Sequence, residues 1–258
     1  MPNWCNNYLT IECDIQTTKE IEGKLEYAVK YSGASGHLKR EYELNMANIT
    51  SPEDIERITT EYNVKLKKLE NSGLADGNVY VFRTLVGLPN NITKSEYDKN
   101  WYDANVNGYG TKWDVDYCDH NWDFYDEGGM SVSFETAWSP PEGFCHMLMK
   151  KYKGITLLEL QYEEPGCDFA GKYTFTRDVA GDEEYNFSDE CYGYLEGLYR
   201  LDLIDCFWSE AENRLDNDYE SVDEYMNNFD FLNTNDNEDI KIINELKTMY
   251  EEHFQDAN

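Results

Sequence analysis

The run Tyr8-Leu9-Thr10-Ile11-Glu12-Cys13 alternates apolar and polar residues, and the period then changes: Ile21, Leu25, Ala28 and Val29 recur at helical spacing within Thr17 to Tyr31. A period of two places successive side chains on opposite faces of a strand, and a period near 3.6 gathers them on one side of a helix. The chain therefore opens strand then helix. Ser32 to Gly36 is a Gly/Ser break, and Ser51-Pro52-Glu53-Asp54 starts another helix, with Ser as cap and Pro in the first turn. Residues 35 to 76 read as an insertion.

Strand character returns in Asn78 to Leu85, a short helix is expected from Lys94 to Trp101, and further strands at Lys112 to Tyr117 and Met130 to Trp138. Pro140-Pro141-Glu142 opens a helix carrying Phe144, Met147, Leu148 and Tyr152, Ile155 to Tyr162 is the next strand, and Lys172 to Phe187 a hairpin. Strands and helices mix without a repeated β-α unit. That order indicates an α+β fold, a mainly antiparallel sheet with helices on one face.

Charge limits the partners. The 258 residues hold 52 Asp and Glu against 22 Lys and Arg, a net of -30. Such a field repels nucleic acid and anionic membrane and attracts basic proteins over a Debye length of roughly 8 to 10 Å. No basic patch for direct nucleic-acid binding is present. Solubility alone is the competing explanation of the charge. The excess is uneven: residues 189 to 258 hold 20 acidic and 4 basic residues, a net of -16. Within that stretch Tyr194, Leu198, Leu201, Ile204 and Trp208, then Ile240, Ile243, Leu246 and Tyr250, recur at helical spacing. The expected organisation is a domain at 1–188 followed by an acidic helical C-terminal extension at 189–258.

No apolar run approaches the roughly 20 residues of a membrane span, and Met1 to Cys5 lacks the pattern of a signal peptide. A cytoplasmic protein is expected, in the host cell if a phage encodes it. Seven scattered cysteines without a Cys-x-x-Cys pair read as reduced, mostly buried thiols.

Candidate chemistry is sparse. Glu163, Glu164 and Asp168 surround a turn, and paired carboxylates serve acid and base roles when one is desolvated; a structured or partner-binding loop is the alternative. Asp114 to His120 collects metal-ligand types, but Cys118 with His120 is half a zinc site, and the segment lacks the Gly and Glu of a calcium loop. No nucleophile elbow, phosphate loop or His-Glu-x-x-His occurs. A non-enzyme with no metal and no cofactor is expected, and a hydrolase using Cys118, His120 or the Glu163 loop is the remote alternative. Trp101, Trp113, Trp122, Trp138 and Phe134 fall around the central strands, where they serve as core or as a binding platform.

Four ordered segments carry a family resemblance. They are Met1-Pro2-Asn3-Trp4-Cys5-Asn6-Asn7, Gly110-Thr111-Lys112-Trp113-Asp114, Phe134-Glu135-Thr136-Ala137-Trp138-Ser139-Pro140-Pro141, and Tyr162-Glu163-Glu164-Pro165-Gly166 with Phe169-Ala170-Gly171. Together they resemble the Api92-like proteins of bacteriophages and plasmids, over about residues 1 to 188. The resemblance implies a ferredoxin-like fold and a mobile-element origin, and no activity or cofactor. Tyr109 stands where the family usually carries Trp.

These readings lead to an accessory protein that blocks the basic surface of a host defence effector, such as a CRISPR-Cas or other nucleic-acid-binding nuclease, by mimicking nucleic acid. Duplex DNA presents about one negative charge per 1.7 Å. Glu210, Glu212, Asp216, Asp218, Glu220, Asp223 and Glu224, with Glu163 and Glu164 in the loop, are the partner-binding candidates. A structural or self-associating assembly module is the alternative.

Overall fold

The computed structural model describes residues 3–47, 49–72, 79–89, 92–215 and 221–255. The strands form a six-stranded sheet in the order β2-β3-β1-β4-β5-β6, built from β1 (Trp4–Cys13), β2 (Trp122–Phe124), β3 (Met130–Ala137), β4 (Ile155–Glu164), β5 (Phe169–Thr176) and β6 (Asn186–Gly193). The alternation in β1 does what its period requires. Cys5, Asn7, Leu9 and Ile11 are buried, and Trp4, Asn6, Tyr8 and Glu12 face solvent. β3 runs antiparallel beside β1 in the register Trp4 to Ala137, Asn6 to Glu135 and Tyr8 to Ser133. On the other side, Thr156 Oγ1 at the start of β4 donates to the Glu12 carbonyl at the end of β1 (3.3 Å). Helix α6 (Glu142–Lys151) joins β3 to β4, so β1 lies between the two strands of a split β-α-β unit.

By packing, the chain divides into two compact units, residues 2–160 with 174–188, and residues 161–173 with 189–258. In the first, helix α1 (Ile15–Lys30) is capped by Asp14, whose side chain accepts from Thr17 N at 2.8 Å, and buries Ile21 and Leu25. Phe82 stacks on Phe144 (4.1 Å between ring centres) and meets Tyr109 and Phe134 edge-on. Arg177 is almost wholly buried and donates to the carbonyls of Met149, Tyr152, Lys153 and Ile155, serving α6 as a carbonyl cap from the neighbouring strand. The expected insertion is a helical hairpin, α2 (Gly33–Met46) and α3 (Pro52–Ser72), tied by Tyr42 stacked on Tyr62.

Two expected strands are absent. Within 78–85, Val81–Val86 forms helix α4, preceded only by an isolated bridge from Tyr80 to Asp116. The reason lies 31 to 32 residues downstream. The buried Asp114 carboxylate accepts from the backbone N–H groups of Phe82 (2.7 Å) and Arg83 (3.0 Å), which satisfies the first turn of a helix and outweighs the β-branched composition. The expected strand at 112–117 contributes that bridge and no more, because Asp114 is spent on α4. Helix α5 (Lys94–Gly108), opened by a Thr93–Glu96 capping box, runs past its expected end at Trp101.

In the second unit α7 (Tyr194–Arg200), α8 (Ile204–Leu215), α9 (Val222–Met226) and α10 (Asn237–Gln255) close around Leu195, Leu198, Phe207, Ala211, Tyr225, Phe229 and Leu246. The acidic stretch owns a hydrophobic core. Tyr225 at its centre donates its hydroxyl to the Ala211 carbonyl at 3.1 Å, so a buried polar tip is satisfied. Of the described cysteines, Cys5 and Cys145 are buried, while Cys167, Cys191 and Cys206 are exposed, which corrects the expectation that most would be interior. Among the described residues no helix is long and apolar enough to cross a membrane.

Candidate functional site

The partner-binding carboxylates divide into three groups. Asp216, Asp218 and Glu220 lie outside the described residues. Glu212, Asp223 and Glu224 are exposed, but not on a common helix, since α8 ends at Leu215 and α9 begins at Val222. Asp223 and Glu224 occupy the first turn of α9, where negative charge opposes the positive end of the helix dipole, and Ser221 Oγ accepts from Glu224 N (3.1 Å). The third group is internally engaged. Arg214 pairs with Glu210 (2.7 Å) and Asp168 (2.9 Å), fastening the loop after β4 to α8. The Tyr194 hydroxyl is held well above its usual range, first by burial and then by the nearby Glu163 and Glu210 carboxylates. Glu164 is 1 % exposed; its Oε1 accepts from Gly166 N at 3.2 Å as the cap of a short 3-10 turn, and its Oε2 is buried without a hydrogen bond. Glu163, Glu164, Asp168 and Glu210 thus shape the loop.

The first unit brings three of the four motif segments together at one corner of the sheet. Asn7, buried, donates through Nδ2 to the carbonyls of Cys5 (2.8 Å) and Phe134 (3.3 Å) and to Thr136 Oγ1 (2.8 Å). Thr136 passes the chain on to the Ser139 carbonyl (2.8 Å), Ser139 Oγ donates to the Gly110 carbonyl (2.6 Å), and Thr111 Oγ1 to the Ala137 carbonyl (3.0 Å). Gly110 has a φ of 93°, and a Cβ there would press on the backbone of Pro140 and Glu142, so the Gly-Thr-Lys turn admits only glycine at that position.

This network fixes an aromatic surface. Trp138 sits at a φ of 76°, a conformation that costs a bulky residue roughly 1 to 3 kcal/mol, and its N–H donates to the Asn3 carbonyl (3.0 Å). Its ring is 54 % exposed, so the strain is not offset by core packing. Trp4 lies against Trp113 (5.8 Å), and the Lys112 ammonium stands over the rings of Trp113 (4.3 Å) and Tyr102 (5.8 Å). Trp101, Tyr102, Trp113 and Trp138 are surface residues, Trp122 is half-buried and Phe134 is core. Sequence spacing left both roles open; exposure separates them.

Asp114 closes the arrangement beneath Trp113. Burial pushes its carboxyl up from 3.8 to about 6, against the opposing pull of the Arg83 and Phe82 N–H groups and the Arg83 guanidinium. Between those values the folded protein holds a proton that the unfolded chain has released. Its contribution to stability is present in full below about pH 4 and is lost as pH rises through about 6. An Asp114→Asn variant is expected to flatten the stability profile over that window, read as urea midpoints from pH 4 to 7; an unchanged slope would show that Asp114 does not titrate there. Among the described residues no group of His, Cys, Asp and Glu has the arrangement of a metal site.

Residues 112–196 match the family model of the ferredoxin-like domain in Api92-like protein. The likeness is to a ferredoxin-like domain and covers that segment of the chain. Protein api92 from Yersinia pseudotuberculosis, known from a crystal structure, is similar over 75% of this chain and 99% of its own, at 11% identity and a TM-score of 0.37. No curated protein matches the sequence. The matched Api92-like segment contains Trp113, Trp138 and the Glu163 loop, and Asn7 from outside it completes the corner through Thr136. Trp138 as a strained, exposed ring, and the partnership of Asn7 with residues 127 and 129 positions away, carried no signal in a single sequence.

Proposed function

We propose that this Api92-like protein is a non-catalytic binding protein of a mobile element, acting in the host cytoplasm on the basic, nucleic-acid-contacting surface of a defence nuclease. The observation that carries the proposal is that the most acidic part of the chain is a packed helical unit. Carboxylates on a folded scaffold keep fixed spacings, whereas those on a solvated tail do not. Three of the four cations of 189–258 are paired within the helical unit: Arg200 with Glu196, Arg214 with Glu210 and Asp168, and Lys241 with Glu245. Lys247 is exposed, and the exposed carboxylates, Glu212, Asp223 and Glu224 among them, leave the balance negative. The nuclease target follows from the phage and plasmid setting that the motif resemblance implies, and a CRISPR-Cas effector is one instance of the class.

The expected result is that the purified protein displaces a short DNA duplex from such a nuclease, and that a Glu212→Gln, Asp223→Asn, Glu224→Gln variant does so several-fold less well. Failure to compete with nucleic acid on any basic effector would sink the proposal. A second reading, a self-associating assembly module, is favoured by the exposed Trp4, Trp113 and Trp138. There the triple charge variant would behave as wild type and a Trp138 substitution would not.

A further inference from the structure

The strands β1, β2, β3 and β4 contain no Lys and no Arg, although they carry Glu12, Asp123, Glu135, Glu159, Glu163 and Glu164. The register sorts these residues by face. Asn6 pairs with Glu135, Thr10 with Ser131, and Ser131 with Asp123, so Glu135 and Asp123 share the solvent face of β1 with Trp4, Asn6, Tyr8 and Glu12. Glu135 is opposite Asn6 and therefore diagonal to both Trp4 and Tyr8, each about 7 to 8 Å away across the ladder. Trp4 is 45 % and Tyr8 46 % exposed, and among the described residues the Glu135 carboxylate makes no hydrogen bond or ion pair.

We infer that this face takes arginine side chains from an extended basic segment of the partner protein, with Glu135 as the anionic centre and the Trp4 and Tyr8 rings as stacking surfaces. A guanidinium can lie flat on an aromatic ring while its edge donates two hydrogen bonds to a carboxylate, a combination a lysine ammonium cannot make. An extended segment repeats its side chains on one face every 6.4 to 6.8 Å or so, about the interval from Trp4 to Asn6 to Tyr8 along β1. Charge decides against the other occupants. Nucleic acid would bring phosphates up to Glu12, Asp123 and Glu135, with Lys112 beside Trp113 as the nearby cation, and a second copy would set Glu135 and a net charge of -30 against their equals. The inference rests on the proposed binding of a basic partner and names a contact within it.

The test uses the full chain with two fluorescein-labelled peptides of equal charge, one alternating arginine with serine and one alternating lysine with serine, read by anisotropy near physiological salt. The arginine peptide is expected to bind at least about fivefold more tightly than the lysine peptide. Glu135→Gln and Tyr8→Ser, both surface changes whose folding is checked by circular dichroism, should each weaken it by about tenfold. The Glu212→Gln, Asp223→Asn, Glu224→Gln variant should weaken it by less than about threefold. Indifference to Glu135→Gln, equal affinity for the two peptides, or an equal loss in the triple variant would each overturn the contact, leaving charge-steered binding to stand on the DNA competition. Conversely, arginine-peptide binding at Glu135 with no competition against DNA would retain this contact and remove the nuclease surface as its target. Concentration-dependent dimerisation abolished by Tyr8→Ser would assign the face to a second copy instead.

Discussion

Phe207→Ala is expected to unfold the C-terminal helical unit or bring it close to unfolding. The ring is fully buried and meets Tyr199, Trp208, Phe229 and Phe231 at centre-to-centre distances of 5.2 to 6.4 Å. Truncating a buried Phe costs about 3 to 5 kcal/mol, which is a large share of the 5 to 15 kcal/mol that stabilises an ordinary domain. Helices around 194–255 should then exchange their amide hydrogens faster and become cleavable, while those of α1 and α6 stay protected. Glu212→Gln, on the surface of the same helix, should change stability by no more than about 0.5 kcal/mol. Equal protection in Phe207→Ala and wild type would mean that the acidic stretch does not fold around this core.

The second large effect is expected at Asn7. Its side chain is buried and spends both Nδ2 hydrogens on three acceptors drawn from β1 and β3. Leucine fills a similar volume but donates nothing. Asn7→Leu leaves the Thr136 hydroxyl and the Cys5 and Phe134 carbonyls short of a donor, at a cost of about 2 to 4 kcal/mol. Because Thr136 in turn holds the Ser139 carbonyl, the turn that fixes Trp138 should loosen as well. The measurable outcome is a lower urea midpoint together with a change in Trp fluorescence. A midpoint within about 0.5 kcal/mol of wild type would show that the network is not what holds the corner.

The parts of the fold that depend on local period were legible from the residues. β1 and α1 lie where alternation and helical spacing placed them, and the Pro140-Pro141 signal marked the start of α6. The antiparallel sheet and its ferredoxin-like character also agree with the motif resemblance. What local period could not supply was the identity of 81–86, whose Val, Phe, Thr and Leu suit a strand as well as a helix. The decision was made by Asp114, 31 to 32 positions away, and no window of the sequence contains both.

The candidate site was legible in composition but not in placement. Counting carboxylates found the acidic stretch at 189–258, yet could not show that Glu210 and Asp168 share Arg214 or that α8 and α9 are separate helices. Glu135 entered the sequence reading only as part of a motif segment, with no role of its own, and it stands out once the register places it diagonal to Trp4 and Tyr8. The Trp residues divided only through exposure, because Phe134 and Trp138 are four positions apart and serve opposite roles.

Charge-steered association with a basic protein surface is the central claim, and the ionic-strength dependence of the association rate measures it directly. With a defence nuclease as partner, the rate constant is expected to fall by at least about tenfold between roughly 50 and 500 mM salt, with a much smaller change in the dissociation rate. The Glu212→Gln, Asp223→Asn, Glu224→Gln variant should show a shallower slope. A rate that does not respond to salt, in either protein, would contradict the account.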